Sequence, residues 1–252
     1  MSERPAGWGR RPEQISGRCV MIAGGTTGIG RAAAALMASQ GAKVLISGRT
    51  PEHMDDALKY ARQSGDVEGT LVDLAEHDSV LRFFEAADEK LGGVDVLINC
   101  LGIATRGVAE TSYEDLSYQL RTNLLSYMDC AAQAIGRIKR RGGGHVVNLG
   151  SMSANVREVN SGIYTAAKAA IQGWSESLRK TYNRDGIRVS LIEPGNVDTD
   201  LHADTRETHR ELVESEEMLT AEDLAELILY CLLQPRRCDI IMARVRPHMQ
   251  FI

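Results

Sequence analysis

Tyr164 and Lys168 stand four residues apart, in a segment that runs into the alanine-rich stretch 169–174, whose composition predicts a helix. On a helix, side chains at that spacing share a face. A free tyrosine has a pKa of about 10 and exchanges protons poorly near neutrality, but a neighbouring ammonium favours the phenolate and lowers that value. The pair is therefore a candidate tunable general acid/base; taken alone, it equally describes an apolar contact beside a solvated charge. Ser151 lies thirteen residues before Tyr164, directly after the β-branched run 145–149, which predicts a buried strand. Its hydroxyl then sits at a strand's carboxyl end, the edge of an open α/β sheet where ligands bind.

The elements that must position these groups begin with an apolar strand over 19–23, a turn Gly24-Gly25-Thr26-Thr27-Gly28-Ile29-Gly30, and a helix over 31–39. Strand, glycine turn and helix in that order present bare backbone N–H groups and a helix N-terminus to a pyrophosphate. Gly28-Ile29-Gly30-Arg31-Ala32-Ala33 satisfies the G-x-G-x-x-A form of the dinucleotide fingerprint. A second strand over 43–47 is followed by Gly48, Arg49, Thr50 and Pro51, the last opening a helix to about residue 63. An acidic residue at the end of this strand would hold the 2′-hydroxyl of NAD; Arg49, which alone could equally be a surface arginine, can pair with a 2′-phosphate, so NADP(H) is favoured over NAD(H).

A third strand over 69–74 carries Asp73, placed to accept from an adenine amino group or to cap the helix starting near Glu76. A fourth over 94–99 ends in Asn99-Cys100-Leu101-Gly102. The helical region 113–139 contains Asn123, and an asparagine inside a long helix either satisfies a bend in the backbone or is functional. A strand over 188–192 leads to Glu193-Pro194-Gly195-Asn196-Val197-Asp198-Thr199, and the polar, core-poor segment that follows, spanning 200–218, reads as a mobile lid over a site. Thr220 with Asp223 opens a helix to about Leu233, and residues 239–242 close the sheet. Strands alternating with helices predict an α/β fold: one doubly wound Rossmann-type domain over 15–252, with a parallel sheet of about seven strands and helices on both faces.

Composition sets the limits. At 252 residues, 43% hydrophobic and 25% charged, the chain matches an ordinary globular domain. A net charge of -5 speaks against a nucleic-acid partner, which requires a basic face. Cys19, Cys100, Cys130, Cys231 and Cys238 show neither metal-ligand spacing nor a disulfide framework, so no metal is expected and a reduced, cytoplasmic compartment is. The longest apolar stretch, near 227–233, falls short of a membrane span. Residues 1–14 lack an apolar h-region and read as an N-terminal arm.

Together these motifs resemble the short-chain dehydrogenase/reductase family from about Gly17 to Met242: the glycine turn, Asn99-Cys100-Leu101-Gly102, Asn123, Ser151, Tyr164-x-x-x-Lys168 and Pro194-Gly195, all in order. The resemblance implies an oxidoreductase transferring a hydride between NADP(H) and the carbonyl or secondary alcohol of a small molecule. Tyr164 would be the acid/base, with its pKa lowered by Lys168, which also holds the nicotinamide ribose. Ser151 would bond the substrate oxygen, and Asn123 would position a water linking Lys168 to solvent. Gly24, Thr26, Thr27, Gly28, Ile29 and Gly30 would line the pyrophosphate and adenosine end, Asp73 and Leu74 the adenine, Asn99 the ribose, and Pro194, Val197 and Thr199 the nicotinamide. Arg106, Met152, Asn155, Arg157 and Asn196 are the candidate substrate residues. A homo-oligomer, dimer or tetramer, is implied as well. Ala23 stands where the family usually has threonine and Cys100-Leu101 where it has Asn-Ala, and the C-terminus lacks the Gly-Gly pair of acyl-carrier reductases. A 3-oxoacyl-thioester reductase and a non-catalytic NADP-binding sensor on the same fold are the alternative readings.

Overall fold

In the computed structural model, which describes residues 13–105, 107–200 and 205–251, the apolar runs pair side by side because a buried strand must satisfy its backbone across a ladder. The strands are β1 (Cys19–Ala23), β2 (Lys43–Gly48), β3 (Val67–Leu71), β4 (Val96–Asn99), β5 (Gly144–Leu149), β6 (Ile187–Pro194) and β7 (Met242–Val245). They form one parallel sheet in the order β3-β2-β1-β4-β5-β6-β7. Neighbouring β1 and β4 head the two halves, which grow outward in opposite directions. That switch point opens a crevice beyond the carboxyl ends.

The helices are α1 (Gly28–Ser39), α2 (Pro51–Ala61), α3 (His77–Lys90), α4 (Tyr113–Leu120), α5 (Ser126–Arg140), α6 (Ser153–Val156), α7 (Gly162–Tyr182), α8 (Arg206–Glu214) and α9 (Ala221–Leu232). Alternation along β1 sends Val20 and Ile22 into the core under α1, α2 and α9, and Met21 and Ala23 into the core under α3 and α5. Both faces are therefore covered, as the near-continuous apolar strands require.

Three boundaries differ from the sequence reading. β3 ends at Leu71, so Asp73 and Leu74 lie in the loop beyond it. The last strand is Met242–Val245, later than the apolar run 239–242, because β6 pairs Leu191 with Met242 and Pro194 with Val245. The region 113–139 is not one helix: a π turn at Arg121–Leu125 separates α4 from α5, and Asn123 sits in it. The segment expected to be a mobile lid contains α8, whose His209 Nδ1 lies 2.6 Å from Asp198 Oδ1. Thr220 and Asp223 form the expected reciprocal capping box of α9. Residues 1–12 of the arm and 201–204 lie outside the described residues, as does Arg106.

Candidate active site

The crevice holds a cleft of about 470 Å³ whose walls come from the loops after β1, β2, β3, β4, β5 and β6. Its floor is the glycine turn. A Cβ at Gly30 would lie 2.0 Å from the Gly24 carbonyl oxygen, and one at Gly28 would lie 2.8 Å from Thr199 Cγ2. Only glycine allows this approach, and it leaves the N-terminus of α1 open to the cleft, the cradle that suits a pyrophosphate. Gly24, Thr26, Thr27, Gly28, Ile29, Gly30, Asp73, Leu74, Pro194, Val197 and Thr199 all line the cleft.

Arg49 also lines it. Its guanidinium donates to the Tyr118 hydroxyl and lies 5.7 Å from that ring's centroid. Tyr118 in turn donates to Asp73 Oδ2 at 2.8 Å, while Asp73 Oδ1 accepts from Ala75 N at 3.0 Å. Asp73 thus braces the loop before α3, and the Asp73-Tyr118-Arg49 chain holds a cation at the end of β2.

At the other end, Ser151, Tyr164 and Lys168 converge on the same cleft. Ser151 Oγ accepts from Ser153 N at 3.1 Å and donates to Ser153 Oγ at 3.0 Å, an ST-type turn that fixes the hydroxyl at the strand end. Lys168 is 2% exposed; its Nζ donates to Leu149 O at 2.9 Å and to the Tyr127 hydroxyl at 3.1 Å. Burial drops its amine to about 8, with a small opposing contribution from Cys100. Tyr164 is raised above its ordinary value: burial dominates, the Ser151 hydrogen bond pulls it down, and the Glu158 charge adds to the rise. The expected lowering by Lys168 is absent, because that amine spends its protein contacts on Leu149 and Tyr127 and meets Tyr164 over the ring, 5.5 Å from the centroid. The phenol is accordingly held in its proton-donor form.

Two expected residues work from behind the wall. Asn123 is fully buried, its Oδ1 accepting from Ile103 N at 2.9 Å and its Nδ2 donating to Ile103 O at 3.1 Å. The side chain clamps the loop after β4 across the π turn. Asn99 is fully buried too and does not line the cleft. Its Nδ2 donates to Asn148 Oδ1 at 2.9 Å, and Asn148 Nδ2 donates to Ser175 Oγ at 2.9 Å. This buried chain ties β4 to β5 and β5 to α7, the helix carrying Tyr164 and Lys168.

Of the substrate residues read from sequence, Met152, Asn155, Arg157 and Asn196 fall within the described residues, and none of the four lines the cleft. Asn155 Nδ2 points at Glu193 Oε2, 3.4 Å away, and its Oδ1 accepts from Arg244 Nη2 at 3.1 Å, since Glu193 is a fully buried carboxylate that needs donors. Arg157 is exposed in a left-handed conformation after α6. Asn196 bonds through its backbone, its N to Gln250 Oε1 at 3.1 Å and its O from Leu219 N at 3.0 Å. Met152, partly buried, does not line the cleft. Instead Cys100, Leu101, Gly102, Ile103, Ala104 and Thr122 line it, and Tyr127 supports it. Of these, Cys100, Leu101 and Gly102 belong to the motif read after the fourth strand, and Ile103, Ala104, Thr122 and Tyr127 carried no signal of their own.

A family profile described as short chain dehydrogenase matches residues 18–210. An uncharacterized oxidoreductase of Staphylococcus saprophyticus is 28% identical over 237 residues, covering 93% of this chain and 99% of that one. Another, from Staphylococcus aureus, is 28% identical over 234 residues, covering 92% and 98%. The crystal structure of a short chain dehydrogenase from Burkholderia cenocepacia in complex with NADP superposes with a TM-score of 0.82 at 25% identity, covering 93% of this chain and 98% of that one. A short-chain dehydrogenase/reductase from Serratia marcescens shares the fold at the same TM-score of 0.82 and 23% identity, covering 93% and 98%.

Proposed function

The chain belongs to the short chain dehydrogenase family of oxidoreductases, and from that premise we propose that it interconverts a carbonyl and a secondary alcohol of a small molecule with NADP(H), Tyr164 acting as general acid/base. The observation that carries the reading is the convergence of Tyr164, Ser151 and Lys168 on one cleft whose far end is the glycine cradle and Arg49. The Burkholderia cenocepacia relative was crystallised with NADP, and Arg49 supplies the cation that a 2′-phosphate would need.

A dinucleotide in this cleft would be held at its pyrophosphate by Gly24 and Thr26 to Gly30, at its adenine by Asp73 and Leu74, and at its nicotinamide by Pro194, Val197 and Thr199, all of which line the wall. Bound there, NADP(H) supplies or accepts the hydride. The chain's own groups handle the proton. Ser151 Oγ, its hydrogen turned from Ser153 Oγ to the substrate, holds the carbonyl oxygen, and Tyr164 Oη delivers a proton to it as negative charge develops, an oxyanion-type stabilisation followed by general-acid transfer. Burial holds Tyr164 above its ordinary value, so the phenol carries its proton near neutral pH and has it to give. The Lys168 amine, held at the cleft wall, binds ribose hydroxyls.

A homo-oligomer remains part of this reading; Tyr113, Leu120, Leu124, Leu125 and Met128 form an apolar groove beside the π turn that a second copy would cover.

Tyr164→Phe tests the assignment. NADPH oxidation over a panel of small ketones and diketones should fall by about 10³-fold or more, while NADPH binding by nucleotide fluorescence stays within about twofold. Retained turnover would sink the acid/base role, and nucleotide binding without turnover in the wild type would favour a sensor.

A further inference from the structure

We propose that Tyr127 is a positioning residue whose hydroxyl takes one Nζ hydrogen of Lys168 and so fixes which hydrogen the amine presents to the cleft. The inference rests on the reading of Tyr164 and Lys168 given above. Tyr127 is fully buried on α5, 41 residues before Lys168 in the chain. A phenol carries one hydrogen and also accepts. Its oxygen lies 2.6 Å from Leu101 O and 3.1 Å from Leu149 O, so the hydrogen goes to a carbonyl and the oxygen is left to accept from Lys168, 3.1 Å away. Leu149 O takes a second Nζ hydrogen at 2.9 Å. An ammonium has three hydrogens; the third has only the cleft, whose wall Lys168 forms.

The amine is further fixed between two rings, 4.9 Å from the Tyr127 centroid and 5.5 Å from that of Tyr164. The titratable groups that face it are Tyr127 from α5, Tyr164 from its own helix and the Cys100 thiol from the loop after β4. Among the described residues none that faces it is a carboxylate, so the charge depends on dipoles, of which the Tyr127 oxygen is one. Burial holds Tyr127 well above its ordinary value, and it therefore stays a neutral dipole. Deleting the oxygen would leave one N–H in apolar surroundings without an acceptor, which favours the neutral amine.

Tyr127→Phe keeps the ring and the cation–π contact and removes only that oxygen. In the full chain carrying isotope-labelled lysine, without added nucleotide, the Lys168 Cε resonance, assigned with Lys168→Arg, should titrate near the wild-type midpoint of about 8 before the change. In Tyr127→Phe the midpoint should fall by about half a pH unit or more. An unmoved midpoint, even with a lower melting temperature, would show a merely structural hydroxyl and overturn the proposal. Should the variant fail to fold, 3-fluorotyrosine placed at position 127 decides: it keeps the ring and the hydroxyl and weakens the oxygen as an acceptor, so the midpoint should again fall, and an unmoved midpoint would overturn the proposal. Tyr164→Phe separates the two readings. If it abolishes turnover while the Tyr127→Phe midpoint stays put, only the positioning role falls. If turnover survives while the midpoint moves, the acid/base reading falls and the lysine geometry stands.

Discussion

Two buried charges, Asp95 at the amino edge of the sheet and Lys168 at the carboxyl edge, are held in opposite ways. At the amino edge, Asp95 is 2% exposed and surrounded by donors: Cys19 N at 2.8 Å, Arg141 Nε at 2.7 Å and Nη2 at 3.1 Å, with Arg18 Nη1 3.6 Å away. Burial alone would raise its pKa, but the hydrogen bonds from Arg141 and Cys19 N and the charges of both arginines outweigh it and hold the carboxyl below its usual range. At the carboxyl edge, Lys168 is equally buried, and among the described residues no carboxylate lies within ion-pair distance of it. Its charge is held only by a carbonyl, a phenol and two ring faces. The amino edge is assembled so that a buried ion strengthens the fold. The carboxyl edge keeps one at a cost to the fold, which is the arrangement expected where an amine has work to do in a cleft.

The largest expected effect breaks the amino edge. Asp95→Asn leaves Arg141 and Arg18 facing an amide and should cost roughly 3–4 kcal/mol in urea unfolding, below the top of the range for buried pairs because both arginines keep some solvent. Turnover per folded molecule should not change; a loss there would mean the two edges are coupled. A second effect sharpens the cost at the carboxyl edge. The folded chain releases the Lys168 proton near pH 8, whereas an unfolded lysine keeps it to about 10.5. Between those values the unfolded chain binds more protons, so stability relative to Lys168→Met should rise with pH across that window by up to roughly 3 kcal/mol. A flat difference between the two chains, measured by urea unfolding from neutral pH upward, would show the amine to be well solvated. The smallest concerns the cation at the cleft's far end. Arg49→Gln should weaken NADPH binding about 10- to 50-fold and leave NADH within about twofold; equal losses for both nucleotides would remove the argument for a 2′-phosphate.

Much of this architecture is legible in the chain because it is local. The glycine turn, Arg49, and the Tyr164–Lys168 spacing each lie within one strand-turn-helix unit, and the periodicity that predicts the element also predicts the face. What escapes is set by register between distant segments. Asn99 reads as a ribose ligand from its place at a strand end, but β4 pairs it with Asn148 in β5, and that neighbour claims the side chain. Asn155 reads as a pocket liner, but Glu193 and Arg244, from β6 and β7, claim it. The Lys168–Tyr127 contact spans two helices, and nothing near Lys168 in the chain announces it. The sign of the Tyr164 shift was equally hidden: a lysine one turn away lowers a phenol only if it is aimed at the oxygen, and here burial and competing acceptors decide.

The π turn at Arg121–Leu125 has one consequence for comparing this chain with its relatives. A single-residue gap placed there in an alignment would look like ordinary loop variation. In three dimensions the π turn holds one residue more than an α turn needs, so losing one would close it to regular helix, keep the face that α5 turns to the sheet, and move Asn123 out of the geometry with which it clamps Ile103. Length at this point therefore tells whether a relative keeps that clamp.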